Sequence, residues 1–136
     1  MSSNEVNDGR TVHPKGELAL RTLTMPADAN PNGDIFGGWL MAQMDIAGGI
    51  TASARSGGRT ATVAVDGFTF HRPVYVGDVL SCYVNILHIG TTSIQLCVEA
   101  WVLRNHQSQL LVKVTEGVFT FVAIDKNGIK RPVIRK

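Results

Sequence analysis

Between Ile35 and Ala54 the chain carries one ionisable side chain, Asp45, in the run Ile-Phe-Gly-Gly-Trp-Leu-Met-Ala-Gln-Met-Asp-Ile-Ala-Gly-Gly-Ile-Thr-Ala-Ser-Ala. A carboxylate in such company is costly unless it is paired or lines a solvated cleft. In a cleft it can accept a proton from water or attack a carbon. Projected at 100° per residue, Gly38, Met41, Gly48, Gly49 and Ala52 share the face of Asp45, and Leu40, Gln43, Ala47 and Ile50 lie on the other side. Glycine inside a helix costs about 0.8–1 kcal/mol relative to alanine. The pair Gly48-Gly49 therefore points to close approach by another backbone or by a ligand. Asp45 is expected to line that groove, where partial removal from water makes it a better proton acceptor. Gly37-Gly38 stands at or just inside the helix start, with Asp34 available as N-cap. Free N–H groups and the positive dipole end there favour a carbonyl oxygen that gains negative charge.

Other chemistries find less support. His13, His71, His88 and His106 are scattered, with no pair at i, i+4, and Cys82 and Cys97 have no metal-ligand spacing. There is no Gly-x-Ser-x-Gly elbow. Asp66 precedes Gly67 and reads as a bulge residue. No metal and no cofactor is expected. The 13 Lys and Arg against 11 Asp and Glu leave a net charge of +2, too balanced for a dedicated nucleic-acid binder. The excess is local: Lys126, Lys130, Arg131, Arg135 and Lys136 form either a solvated tail or a contact for a phosphorylated ligand. No secretory h-region and no membrane-length apolar run is present, and the expected setting is the reducing cytoplasm.

The elements that must hold these groups follow from pattern. A polar tail over 1–15 precedes a strand from Glu17 to Met25. A loop dense in turn residues, Pro26 to Gly38, leads into a helix from Trp39 to Ala54, which Ser56-Gly57-Gly58 ends. Strands follow at Thr60 to Phe70, Val79 to Leu87, Ser93 to Leu103 and Leu110 to Ile124. A bulge is expected at Asp66-Gly67, where the apolar parity flips, and a kink or bulge at Gly117. Val84 and Ile86 share parity with Ile94, Leu96 and Val98, so the central hairpin should set even residues opposite even ones. Cys82 and Cys97 then face opposite sides and form no disulfide. One helix among consecutive hairpin-connected strands means an α+β domain with an antiparallel sheet. Its expected limits are 16–125, with 126–136 as a basic C-terminal tail.

The segment Met25-Pro-Ala-Asp-Ala-Asn-Pro-Asn-Gly-Asp-Ile-Phe-Gly-Gly-Trp-Leu-Met41, with Met44-Asp-Ile-Ala-Gly48, resembles the YciA-type acyl-CoA thioesterases of the hotdog superfamily. Phe68-Thr-Phe-His-Arg-Pro73, Val76-Gly-Asp-Val79 and Gly90-Thr-Thr-Ser93 match more loosely, and the resemblance runs from about Gly16 to Pro132. It implies a hotdog fold, one long central helix wrapped by an antiparallel sheet of five to six strands. Two chains would join edge to edge into one continuous sheet, with a trimer of dimers beyond that. It implies hydrolysis of acyl-CoA to free acid and CoA, the CoA being part of the substrate. The catalytic Asp falls on Asp45, an assisting Asn from the other protomer on Asn30, and the carbonyl-polarising helix start on Gly37 and Gly38. His71 departs from the apolar residue expected between Phe70 and Arg72, which bears on the local pocket shape. Arg72, Arg59, Lys130 and Arg131 are the basic candidates for the CoA phosphates, Thr91, Thr92 and Ser93 the hydroxyl candidates, and Phe36 and Met41 the acyl-side ones. The alternatives are a hydroxyacyl-thioester dehydratase, which calls for a His near the helix where none lies between Pro14 and Phe70, and an acyl-CoA-binding protein without turnover.

Overall fold

The computed structural model describes residues 13–104 and 110–133, and its one long helix is α1 (Gly37–Ser56). The helix starts two residues before the expected Trp39 and ends at Gly57, whose φ of 79° is left-handed and whose N–H bonds the Ser53 carbonyl. Its N-cap is Phe36, which offers no capping side chain. Asp34, expected in that role, instead forms a backbone bridge with Tyr75, because the chain is still extended at that point.

Around α1 run β1 (Glu17–Leu23), β2 (Thr60–Phe70), β3 (Val79–Ile89), β4 (Ser93–Arg104) and β5 (Leu110–Ala123). They form one antiparallel sheet in the order β1-β3-β4-β5-β2, so α1 links the two edge strands. The helix touches every strand, which is the hotdog arrangement. Alternation explains the core. The even residues Ile94, Leu96, Val98, Ala100 and Val102 of β4 are buried and meet Leu40, Met44 and Ala47 of α1 in one cluster.

The hairpin register is the expected one, with Val84 opposite Val98 and Ile86 opposite Leu96. Cys82 lies in the core, Cys97 on the other face, and both thiols are free. The bulge at Asp66-Gly67 is present as a register shift between Asp66 and Thr69, with Gly67 at φ 58°. Gly117 is different: it pairs regularly with Val98, and a Cβ there would lie 2.4 Å from Phe68 Cδ1. It is a packing glycine that stands opposite the β2 bulge, since the β2–β5 register shifts between Asp66–Val118 and Thr69–Glu116, and a second β5 irregularity falls opposite Ala100 and Trp101 of β4, where Val114 is extra.

The C-terminal segment is also more than a tail. Asp125 closes a turn by accepting from the N–H groups of Asn127 and Ile129, Lys130 bridges Ile124, and Val133 is buried with its N–H on Thr91. The folded unit therefore reaches Val133, past the expected limit at 125. Most of the N-terminal tail, residues 1–12, lies outside the described residues.

Candidate active site

Asp45 is half-exposed on the side of α1 that faces β2. Its Oδ1 accepts a 2.6 Å hydrogen bond from Thr62 Oγ1. Two turns on, Ser53 and Thr60 hydroxyls meet at 3.0 Å, so the polar seam between α1 and β2 is built from three hydroxyls and one carboxylate. Sequence reasoning missed Thr62. The available signal was the tight Gly57-Gly58 reversal, which returns β2 alongside the helix and lets polar residues of Thr60–Thr62 face it.

The glycines divide into two kinds. A Cβ at Gly48 would lie 2.9 Å from Phe121 and 3.2 Å from Leu96, so Gly48 lets the helix settle on its own sheet. The expectation of an outside ligand or chain at Gly48 is corrected, and Gly49 makes only ordinary contact with Phe121. Gly37 and Gly38 fit the other reading. The first intrahelical bond runs from Leu40 N–H to the Phe36 carbonyl, which leaves the N–H groups of residues 37–39 as first-turn donors. Nothing lies within 4 Å of a Cβ at Gly38, and only Phe70 approaches one at Gly37. A cavity of about 450 Å³ opens beside this turn, lined by Asp34, Gly37, Leu40, Phe70, His71 and Arg72 among others. Phe36 and Met41, next in sequence to its lining residues Gly37 and Leu40, are exposed at 51% and 37% and do not line it. The helix start therefore combines donors with apolar surface.

Asn30 organises the preceding loop. Its Oδ1 accepts from the N–H groups of Asn32 (2.9 Å) and Asp34 (3.1 Å), an Asx-type closure that leaves the amide NH₂ as the part not used within the loop.

The phosphate candidates do not gather. Arg72 lies at the helix N-terminus. Arg59, Lys130 and the Thr91–Ser93 turn lie at the opposite end, joined through backbone bonds from Ile124 to Arg59, Ala123 to Thr92 and Val133 to Thr91. A helix of 20 residues separates those ends by about 30 Å. Arg131 is a correction: its Nε, Nη1 and Nη2 all donate to the chain's own oxygens, at Ile124, Ser56, Pro132, the Ser56 hydroxyl and Arg59. The guanidinium thus caps the last carbonyl of α1, that of Ser56, where a cation complements the dipole. Cys97, Glu99 and Glu116 bring their ligand atoms within 4.8 Å of one another on the outer face of the sheet. Lys113 Nζ sits there, 2.6 Å from Glu116 and 3.6 Å from Glu99, and pairs with both carboxylates.

The same axial arithmetic applies to the chemistry. Asp45 is eight residues beyond Gly37, about 12 Å along the helix. A carbon held by the first-turn N–H groups of one chain is out of reach of the carboxylate on that same chain.

A family profile described as the thioesterase superfamily matches residues 32–108. The chain is 53% identical over 122 residues to the acyl-CoA thioester hydrolase YciA of Salmonella typhimurium, covering 88% of this chain and 92% of that protein. Its structure is similar to that of a hexameric broad-specificity acyl-coenzyme A thioesterase studied as an aspartate-to-alanine mutant, at 48% identity and TM-score 0.86 over 90% of this chain and 89% of that one. It is also similar to an acyl-CoA hydrolase of Staphylococcus aureus, at 27% identity and TM-score 0.76 over 84% of this chain and 69% of that one. That enzyme has been solved with butyryl coenzyme A and as single aspartate-to-alanine and threonine-to-alanine mutants. The two substituted positions are 17 apart, the spacing of Asp45 and Thr62.

Proposed function

The chain belongs to the thioesterase superfamily and hydrolyses acyl-CoA to free acid and CoA, and on that premise we propose that Asp45 is the general base at a site completed by a second copy of the chain. The carrying observation is the 2.6 Å bond from Thr62 to Asp45 Oδ1. It fixes one carboxylate oxygen and leaves the other to take a proton from water. The water oxygen adds to the thioester carbon. The carbonyl oxygen gains charge that helix-start N–H groups stabilise. Collapse breaks the C–S bond, and the thiolate leaves as CoA thiol after taking up the proton.

On this reading the base and the carbonyl donors come from different chains, which the offset of about 12 Å along α1 supports. The free edge of β2 offers the way to join them. It is 11 residues long, with Val63 at 58% and Val65 at 37% exposure, an apolar edge that invites another strand. Pairing of β2 with its copy would make one continuous sheet, and such pairs would assemble further, as in the hexameric relative. The Asn30 amide would then face the partner's Asp45. Arg72 beside the cavity, and Arg59, Lys130 and the Thr91–Ser93 turn at the far end, are the candidates for the CoA phosphates, Arg59 already donating through Nη1 to the Asp125 and Lys126 carbonyls, and Phe36 and Met41 are the candidates for the acyl chain. Two free thiols suit the reducing cytoplasm.

The test is thiol release from a series of acyl-CoA substrates. Asp45→Asn should lower kcat by about 10²–10⁴, the range for loss of a general base, with the fold retained. Turnover near wild type would remove Asp45 from the chemistry. Oxygen-18 from water appearing in the Asp45 carboxylate after one turnover would replace general-base action with direct attack.

A further inference from the structure

The loop that carries Asn30 is pinned at both ends to one turn, Pro73 to Asp78, between β2 and β3. Before the loop, Thr24 is buried. Its backbone N–H donates to the Asp78 carbonyl at 3.0 Å, and its hydroxyl donates between the carbonyls of Tyr75 and Asp78 at 2.9 and 2.8 Å. After the loop, the Ile35 N–H donates to the Val74 carbonyl at 2.8 Å, beside the backbone bridge of Asp34 and Tyr75. Within it, the Asn30 N–H donates to the Asp34 carbonyl at 2.8 Å and the Asp34 N–H to Asn30 Oδ1. The position of Asn30 is thus set by where the turn sits.

The turn is fastened from the sheet. Asp78 is buried, and its Oδ2 accepts from the Tyr75 N–H at 2.9 Å. Its charge pairs with Arg104, the last residue of β4, whose Nη2 is 3.3 Å from the same Oδ2. Nη2 also donates to the Pro73 carbonyl at 2.6 Å, and the guanidinium carbon stands 4.9 Å from the centre of the Tyr75 ring. One planar cation therefore grips the turn at its first residue, its middle and its last. A lysine ammonium is a point charge and lacks the flat face and the fork.

We infer that Arg104 is a positioning residue for the reaction, acting through this turn on Asn30. The inference rests on the reading that the Asn30 amide faces the partner's Asp45. Without Arg104, Asp78 would be a buried carboxylate that has lost its pair, and the turn would lose its hold on both ends of the Asn30 loop. A small misplacement of a group that must meet the reacting centre is costly in rate. Arg72, just before the turn, is held separately by its N–H on the Val114 carbonyl at 3.3 Å. The effect of Arg104 should therefore fall on kcat more than on KM.

Steady-state thiol release from acyl-CoA by the full chain tests this. Arg104→Met should lower kcat about tenfold, with KM within about twofold of wild type. Arg104→Lys keeps a charge beside Asp78 and should recover part of the rate. Added to Asn30→Ala, Arg104→Met should lower kcat by no more than about twofold further, because the group it places is already gone. Should Arg104→Met fail to fold, Arg104→Met combined with Asp78→Asn leaves no buried charge unpaired and takes its place, with the same expectations. A wild-type kcat without Arg104, or the full loss repeated on top of Asn30→Ala, overturns the inference and leaves Asn30 in the site. A wild-type kcat in Asn30→Ala alone overturns the reading of Asn30, and the inference with it.

Discussion

A carboxylate on a helix surface turns freely about its last torsion, and a general base must present one oxygen in one direction. Thr62 removes that freedom for Asp45 through a bond to its Oδ1 at 2.6 Å. A hydrogen bond to a charged group contributes about 1.5–3 kcal/mol, discounted here because the pair is partly exposed. Thr62→Ala is accordingly expected to lower kcat roughly tenfold, with KM little changed. Thr62→Ser keeps the hydroxyl and should restore most of the rate. Steady-state kinetics on the two variants check this, and equal losses in both would assign Thr62 to packing instead. Glu116 gives a prediction of another kind. The Lys113 ammonium bonded to it holds its carboxyl below the ordinary glutamate range. A lowered carboxyl contributes stability that is present above its ordinary range and lost as pH falls through the lowered value. Glu116→Gln should therefore cost up to about 1 kcal/mol at neutral pH, the scale of an exposed pair, and the gap to wild type should close in acid denaturation.

At the scale of elements, α1 is held differently at its two ends. Its start is open, with glycines and unpaired first-turn donors beside a cavity. Its end is closed by Gly57 and by Arg131, which reaches back from the C-terminal segment to Ser56, Arg59 and Ile124. The asymmetry suits an enzyme that uses one end of a helix for charge stabilisation and must anchor the other. Arg131→Met keeps much of the side-chain volume and removes the donors. It should lower stability by about 2 kcal/mol, a hydrogen-bonded charge in a half-buried setting. Its KM for acyl-CoA should stay close to wild type. Thermal unfolding and kinetics together decide between this role and a phosphate contact, which would show the reverse pattern.

For the whole molecule, the offset between Gly37 and Asp45 predicts complementation between defective chains. Gly38→Pro deletes an N–H at the helix start, where proline is tolerated because that donor has no intrahelical partner. Asp45→Ala deletes the base. Each homomeric variant should be nearly inactive. Co-expressed in equal amounts, they should form mixed pairs in which one site carries both lesions and the other neither, giving about a quarter of the wild-type sites under random pairing. An activity no higher than that of either parent would put base and donors on one chain. The proposed pairing would also cover the 11-residue β2 edge, which otherwise offers unpaired backbone to another strand.

What could be read from the chain alone was whatever depends on near neighbours. The helix around Asp45, the Gly57 stop, the Asp66-Gly67 bulge and the even-to-even hairpin register all follow from periodicity and turn chemistry within a few residues. The resemblance then carried the hotdog fold and the activity. The lone carboxylate and the Gly-Gly pair at the helix start were visible for the same local reason. The meeting of Asp45 with Thr62, the capping by Arg131 and the ring of Phe121 under Gly48 were not, since each joins elements distant in sequence. They exist because β2 pairs with β5 at one edge and β1 with β3 at the other, leaving α1 to cross between them. Strand order is chosen by the burial of the whole sheet against the helix, a sum over many weak contacts that no local pattern of residues records.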